Sequence, residues 1–244
     1  MGVLQRIAIA YTFGGLLFLT FRPRTLFVIL VAILVGYWAM LTYIPVPEFG
    51  AGNYAEGQNL ANYIDKVALP LRKWDGDHDP EGLLSNLTAV ASCLLGVFSG
   101  LLMRNQQRSE IQKVLILFVA GAAMIAGGYY WGFSHPIIKK IWTSSFVLMA
   151  GGWSCILLAF VHLLTEVIGL RFWAWPFVWI GVNPLAVYLS GEFVSWGDLA
   201  KRIVGGPVAA ACGDYGDLLV TMTAVLLLFL FARFLYVRKI YIRL

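Results

Sequence analysis

The stretch LFVILVAILVGYWAMLTYIP, residues 26–45, decides the fold class because it runs for its whole length without a charged side chain. A helix needs about 20 mostly apolar residues to cross the hydrocarbon core of a bilayer. Similar runs lie at 3–21, 83–103, 112–133, 143–165, 172–191 and 216–237. The sequence therefore predicts an all-α, polytopic transmembrane helix bundle of about seven spans.

The composition excludes an ordinary soluble protein. Of 244 residues, 60% are hydrophobic and 13% are charged, and the mean hydropathy is +0.78. A soluble domain carries roughly 25% charged residues. We therefore predict one transmembrane domain over 1–244, with longer connections at 46–82, the predicted outer loop, and at 192–215. The cysteines have no metal-type spacing and are interpreted as small buried hydrophobic residues; they are Cys93, Cys155 and Cys212.

The net charge of +5 does not indicate nucleic-acid binding, because the basic residues lie at the ends of apolar runs. Alternate connections of a seven-span chain divide the basic residues into two sets. One face collects Arg22, Arg24, Arg104, Arg108, Lys113, Arg171, Arg233, Arg238, Lys239 and Arg243. The other face has fewer, among them Lys66, Arg72 and Lys73 in the 46–82 loop, where loop length weakens their effect on orientation. We predict that the first face and the C-terminus are cytoplasmic, in a bacterial inner membrane.

An acidic segment on the predicted outer face has two interpretations. It contains Asp75, Asp77, His78, Asp79 and Glu81. In the first interpretation Asp79 caps a helix that starts with Pro80 and Glu81. In the second, the carboxylates orient an amine or a sugar hydroxyl, and His78 beside Asp77 and Asp79 is the candidate for acid–base catalysis.

Other polar residues near the spans also allow two interpretations each. Arg6 either extends to the interface or pairs with Asp79 or Glu81. Asn183 with Pro184 forms either a packing hinge or a cavity wall. His162 is either functional or part of a helix-to-helix hydrogen bond, and the Gly96–Gly100 GxxxG step is interpreted as a helix contact. The spacing of the histidines predicts no metal site.

Five blocks in order carry a resemblance: GVLQRIAIAY at 2–11, YIDKVALP at 63–70, DPEGLLSNLTAVASCLLGVFSGLLM at 79–103, KKIWTSSFVLMAGGWS at 139–154 and NPLAVYLSGEF at 183–193. Together they resemble the heparan-α-glucosaminide N-acetyltransferase family and its bacterial relatives. The resemblance implies a fold of about eleven spans, of which this chain would hold seven. It also implies acetyl transfer from cytoplasmic acetyl-CoA to an amino sugar or glycan on the outer face, and a homodimer.

The resemblance implies roles for residues of this chain. Acceptor-side, substrate-binding candidates are Arg6, Asp79, Glu81, Lys139, Trp142 and Asn183. Candidates for the phosphates of acetyl-CoA are Arg22, Arg24 and Arg104, because arginine binds phosphate in a bidentate manner.

The chain also departs from the family pattern. The family's proposed catalytic histidine lies in an N-terminal part that would precede Gly2, and none of His78, His135 and His162 matches it. We therefore expect the C-terminal portion of such an enzyme, inactive on its own. The alternatives are a small-solute transporter and a non-catalytic membrane subunit.

Overall fold

The computed structural model describes residues 2–69, 73 and 75–241, so that Arg72, Trp74 and Arg243 lie outside the described residues. The chain divides into two compact units, the first ending at Val167 and the second beginning at Ile168. The helices of the first unit are α1 (Val3–Thr20), α2 (Pro23–Tyr43), α3 (Leu60–Ala68), α4 (Asn86–Arg104), α5 (Glu110–Gly132) and α6 (Ser144–His162), which continues as a π-helical turn over Leu163–Val167. Those of the second unit are α7 (Trp175–Val182), α8 (Pro184–Phe193), α9 (Trp196–Val204), α10 (Pro207–Ala211) and α11 (Gly216–Val237).

Within the described residues, six helices are long and apolar enough to cross a membrane. They are α1, α2, α4, α5, α6 with its π-helical turn, and α11. A seventh crossing results if α7 and α8 count as one span. Many large apolar side chains on these helices are exposed, among them Leu19 at 81%. In a bilayer these side chains contact lipid, so the predicted helical membrane fold is confirmed.

The predicted span 172–191 is broken rather than continuous. The axes of the Phe172–Val182 segment and of α8 differ by 67°. The break lies at Asn183–Pro184, because proline has no N–H to donate and its ring clashes with the preceding turn of a helix. Asn183 is fully buried beside the break, and its amide donates to the carbonyl oxygen of Ile240 at 2.9 Å.

The prediction that Asp79 caps the third span is wrong. The helix begins at Asn86, and Ser85 occupies the cap position. Asp79 instead accepts the N–H of Glu81 through Oδ1 at 3.2 Å, which closes a local turn. The chain then continues through Gly82 and Leu83 along the buried carboxylate of Asp65, which accepts the Leu83 N–H at 2.8 Å. These contacts hold residues 80–85 in turns, so that α4 does not begin until Asn86.

The first unit is an up-and-down bundle, and the long connection between α2 and α4 lies at one of its ends. α1 and α4 run in parallel, since Arg6 contacts Ser85 and Gly14 lies against Cys93. A core of Leu26, Leu30, Leu34, Ala91, Leu94 and Val147 joins α2, α4 and α6. We call the end that carries the N-terminal ends of α1, α4 and α6 and the connection 44–85 the capped end. The end with Arg22 and Arg104 is the opposite end.

Candidate functional site

A buried arginine lies at the capped end. Arg6, in the first turns of α1, is 6% exposed. Its Nη2 donates to the carbonyl oxygen of Pro80 at 2.9 Å and to Oγ of Ser85 at 2.6 Å. Its Nε is buried and has no hydrogen-bond partner among the described residues. An unpaired donor on a buried cation is costly, so this N–H is an unsatisfied polar group beside the Trp142 ring.

Trp142 packs on this arginine. The guanidinium carbon of Arg6 lies 4.8 Å from the centroid of the Trp142 ring, within the range of a cation–π interaction. The indole Nε1 donates to Oγ of Ser92 at 3.0 Å. The backbone of Trp142 has φ +52°, a left-handed conformation that costs a bulky residue about 1–3 kcal/mol. Such strain is concentrated at functional sites.

A groove of about 530 Å³ runs between α4 and α6 and ends at Trp142. Its wall extends along α4 from Ser92 to Met103, and it is mostly apolar. Gly96 and Gly100 line it, and a Cβ atom at either position would meet no atom within 4 Å. Within the described residues this GxxxG step therefore makes no close helix contact. The two glycines keep the groove open instead.

A buried carboxylate, that of Asp65, also organises the capped end. Asp65, on α3, is 1% exposed and accepts the N–H groups of Leu83 and Asp79. Burial raises the pKa of the Asp65 carboxyl, and the two N–H donors oppose this shift. Gly82 passes so close that a Cβ there would overlap the Asp65 carboxylate. Asp65 thus fixes the path of the acidic segment.

His78 contacts a carboxylate of the acidic segment, that of Asp77. Its Nδ1 lies 2.9 Å from Oδ1 of Asp77, and its side chain is 8% exposed. Hydrogen bonds from His78 and then Lys66 lower the pKa of Asp77. Lys140 contacts the carboxylates of Glu56 and Asp75, and these hydrogen bonds raise the pKa of Lys140. The hydrogen bond from Lys140 lowers the pKa of Glu56.

His135 is the third polar centre of the capped end. It is fully buried; Nε2 accepts the N–H of Ser144 at 3.0 Å, and Nδ1 lies 2.9 Å from the hydroxyl of Tyr54. Because Nε2 is an acceptor, the proton of the neutral ring is on Nδ1. Burial lowers the pKa of His135 to about 4. The ring is therefore neutral at pH 7 and acts as a cap at the start of α6.

The structure brings together part of the predicted set. Arg6, Asp79, Glu81 and Trp142 lie at the capped end. Lys139 is exposed there, and its carbonyl oxygen accepts the Trp142 N–H. Asn183 belongs to the second unit. The phosphate candidates are exposed at the opposite end, and one of them directly follows the groove residue Met103; they are Arg22, Arg24 and Arg104.

Several polar residues of this end were missed from the sequence, namely Asp65, Ser85, Ser92 and Lys140. Asp65 lies inside one of the resembling blocks, YIDKVALP, which was a usable signal. Lys140 directly follows Lys139, and sequence gives no means of choosing between them.

His162 makes the helix-to-helix contact that was one of its two interpretations. Its Nε2 lies 2.6 Å from Oε2 of Glu110, and Oε1 of Glu110 accepts from Lys113 at 2.9 Å. This cluster joins the start of α5 to the end of α6. It lies at the opposite end from Arg6.

The fold and this site define a polytopic membrane protein whose first unit contains a groove that ends at Trp142, the residue on which the buried Arg6 packs. No family model matches the chain. Over 198 residues it is 26% identical to heparan-alpha-glucosaminide N-acetyltransferase from Homo sapiens, covering 67% of this chain and 29% of that protein. The Mus musculus protein of the same name is 24% identical over 188 residues, covering 64% and 28%. The resemblance found in the sequence is thus confirmed as a family-level relationship, and the chain spans about 29% of the length of these relatives.

Proposed function

We propose that the protein takes part in a membrane acyltransferase reaction that moves acetyl from acetyl-CoA to an amino sugar or glycan. The observation that carries the proposal is the groove, which follows α4 to the Arg6–Trp142 pair. Its volume falls in the range of small-molecule sites, roughly 300–1,000 Å³. The names of the relatives supply the reaction class and the glucosamine acceptor.

In this reaction the acceptor nitrogen attacks the thioester carbonyl carbon. The C–N bond forms, the C–S bond breaks, and the proton lost by nitrogen passes to the departing thiolate to give CoA-SH. Negative charge develops on the carbonyl oxygen, and a preorganised donor stabilises it. The unpaired Nε–H of Arg6 is our candidate for that donor.

The remaining candidates have separate roles. Asp79 and Glu81 would hold the acceptor's amine or hydroxyls, with Lys139 and Trp142 at the rim and His78 as the acid–base candidate. We place the nucleotide of acetyl-CoA at the opposite, cytoplasmic end, where its phosphates would contact Arg22, Arg24 or Arg104. The thioester would then reach Trp142 through the groove.

The proposal is tested with membranes from cells that express the complete gene that encodes this chain. We expect labelled acetyl-CoA, added on the side of the opposite end, to acetylate glucosamine or a glucosamine-ended glycan on the other side. Membranes from cells with the gene deleted are the control. Absence of any acetylated amino sugar or glycan in the expressing membranes would contradict the proposal.

The groove has its own matched pair of variants. Gly100→Leu places a side chain in open groove space, and Gly36→Leu places one in open space on α2, outside the groove lining. If the acyl donor occupies the groove, Gly100→Leu lowers transfer by about 100-fold because the reacting group is displaced. Gly36→Leu leaves it unchanged. Equal activity of the two variants would remove the groove from the mechanism.

A labelling experiment separates binding from turnover. In a background without native cysteines, Gly100→Cys exposes a thiol to the groove. We expect acetyl-CoA to slow its reaction with a maleimide, while leaving a thiol at Gly36→Cys unaffected. Labelling at equal rates with and without acetyl-CoA would contradict donor binding in the groove.

The second candidate function is transport of a small polar solute, and the broken α7–α8 pair favours it. Interrupted spans with buried polar residues such as Asn183 are common at transporter binding sites. Uptake of a solute into vesicles without acyl-CoA would support this alternative. Acetyl transfer without uptake would exclude it.

A further inference from the structure

We propose that Glu56, Asp75 and His78 form a binding site for a divalent first-row transition-metal ion, with Zn²⁺ the best fit. Each residue offers one ligand atom, and these atoms lie within 4.8 Å of one another. The proposal goes beyond acyl transfer and does not depend on it, and a metal-bound His78 would not be the acid–base group of that reaction. The spacing of the histidines gave no sign of this site, because its ligands meet only when the chain folds.

The geometry of His78 is the observation that points to a cation. The residue is 6% exposed, and its Nδ1 lies against Oδ1 of Asp77 at 2.9 Å. In the neutral ring with Nδ1–H donating to Asp77, Nε2 presents a lone pair. That atom has no hydrogen-bond partner among the described residues and lies 3.5 Å from Oε1 of Glu56. Two acceptors therefore face each other, and a cation that displaces Lys140 from Oε1 would ligate both.

The contact between His78 and Asp77 also matches the second shell of metal sites. A histidine that ligates a metal nearly always donates its other ring N–H to a carboxylate, a carbonyl oxygen or water. This contact fixes the tautomer and the ring orientation. Asp77 has this role here and leaves Nε2 directed at the other two ligands.

The ammonium group of Lys140 already places a positive charge between two of the proposed ligands. Its Nζ contacts the carboxylates of Glu56 and Asp75, the latter at 3.0 Å. The Lys140 side chain is half exposed, so it can withdraw into solvent. With bonds of 2.0–2.2 Å, tetrahedral ligands lie roughly 3.4 Å apart. Ligand atoms that now lie up to 4.8 Å apart would therefore approach one another by up to about 1.4 Å when a metal replaces the ammonium group.

The donor set selects the class of ion. One imidazole nitrogen and two carboxylate oxygens suit Zn²⁺, with water completing the tetrahedron. Ca²⁺ and Mg²⁺ prefer oxygen ligands only. A bound ion would join Glu56 to the acidic segment and so fix the connection between α2 and α4.

The experiment uses the purified full chain after treatment with a chelator. Titration with Zn²⁺ is followed by calorimetry, and Co²⁺ replaces Zn²⁺ to give a visible spectrum that reports nitrogen and oxygen ligands. We expect one ion per chain in the wild type and in Glu48→Gln, an exposed carboxylate outside the cluster. We expect loss of this ion in His78→Gln and in Asp75→Asn. The readout is metal binding, so it is independent of whether acetyl transfer is found.

Lys140→Met gives the sharper test. Because it removes the competing ammonium group, we expect the affinity for Zn²⁺ to rise about tenfold or more, or about 1.4 kcal/mol. Thermal unfolding measured with and without Zn²⁺ verifies that each variant is folded. Absence of stoichiometric binding in both wild type and Lys140→Met would overturn the proposal. Binding that persists undiminished in folded His78→Gln would overturn it as well, since the ion would then be held elsewhere.

Discussion

Arg6 and Trp142 stack on each other at the capped end, with the guanidinium carbon 4.8 Å from the ring centroid. The pair joins the first transmembrane helix to the connection before α6, two regions far apart in the sequence. On one side it contacts the acidic segment through Pro80. On the other, Trp142 lines the groove. The stacked pair therefore links the predicted acceptor groups to the proposed donor path.

The stacking predicts energetic coupling between the two residues. Arg6→Lys keeps the charge but loses the planar stack and the geometry of two hydrogen bonds. We expect a loss of about 1–3 kcal/mol in the free energy of unfolding. In a double-mutant cycle with Trp142→Leu, the coupling energy should be about 0.5–2 kcal/mol.

Denaturant unfolding in detergent measures this cycle. The control is Arg22→Lys, an exposed arginine at the opposite end, for which we expect a change below about 0.5 kcal/mol. Additive effects of the two substitutions would show that the stacking does not contribute to stability.

His135 predicts a pH dependence of stability. Its pKa falls from 6.5 in the unfolded chain to about 4 in the folded protein because the ring is buried. Between these values the unfolded state binds more protons, so stability is complete above pH 6.5 and is lost as pH falls toward 4. The difference corresponds to roughly 3 kcal/mol. Unfolding measured from pH 7.5 to pH 4 checks it.

The control for this prediction is His135→Gln. The difference between the free energies of unfolding of wild type and variant isolates the histidine, because the carboxylates titrate in both proteins. Glu56 and Asp77 have lowered pKa values, so their stabilisation is lost only in more acidic solution. Asp65 has a raised pKa and acts in the opposite direction, losing stability as pH rises. Parallel pH profiles of wild type and His135→Gln would contradict the prediction.

The sequence predicted the spans better than the site, for a physical reason. The hydrocarbon thickness sets a minimum length for an apolar run, so a stretch such as 26–45 specifies a span locally. The start of α4 depends instead on Asp65, a side chain on another helix, which holds Gly82 and Leu83 in a turn. The local capping signal at Asp79 therefore could not predict where α4 begins.

Glycine residues illustrate the same distinction. Gly96–Gly100 and Gly121 are equally small, but only Gly121 lies against another helix backbone, at Gly152. Which glycine packs and which lines a groove depends on the helix opposite, and a single sequence contains no such information. The placement of Arg6 near the acidic segment was predictable, since both fall on one face once spans are counted.

Close packing of α5 on α6 predicts a strong effect at Gly121. A Cβ there would lie 2.8 Å from the carbonyl oxygen of Gly152, a backbone atom that cannot move independently. We expect Gly121→Ala to cost about 1–3 kcal/mol of unfolding free energy. Gly127→Ala on the same helix is the control, since its nearest neighbour would be Leu148 at 3.9 Å. Equal thermal stabilities of the two variants would contradict this account of the interface.

The broken span decides on which side of the membrane Arg238 lies. If α7 and α8 together cross the bilayer, the described residues cross seven times and Arg238 lies on the face of Arg22 and Arg108. If they form a re-entrant pair, the described residues cross six times and Arg238 lies on the face of Glu48. From the charge distribution we predict seven crossings, with the Arg22 face cytoplasmic.

Single cysteines in a background without native cysteines separate these topologies. We expect a membrane-impermeant maleimide to label Glu48→Cys in intact cells, and to label Arg108→Cys and Arg238→Cys only after permeabilisation. Labelling of Arg238→Cys but not Arg108→Cys in intact cells would make α7–α8 a re-entrant pair. Asn183 would then be buried near the turn of that pair, where a backbone break in a membrane is tolerated only against protein or a water-filled cavity. That result would strengthen the transport alternative, whereas seven crossings leave the break as a kink within an ordinary span.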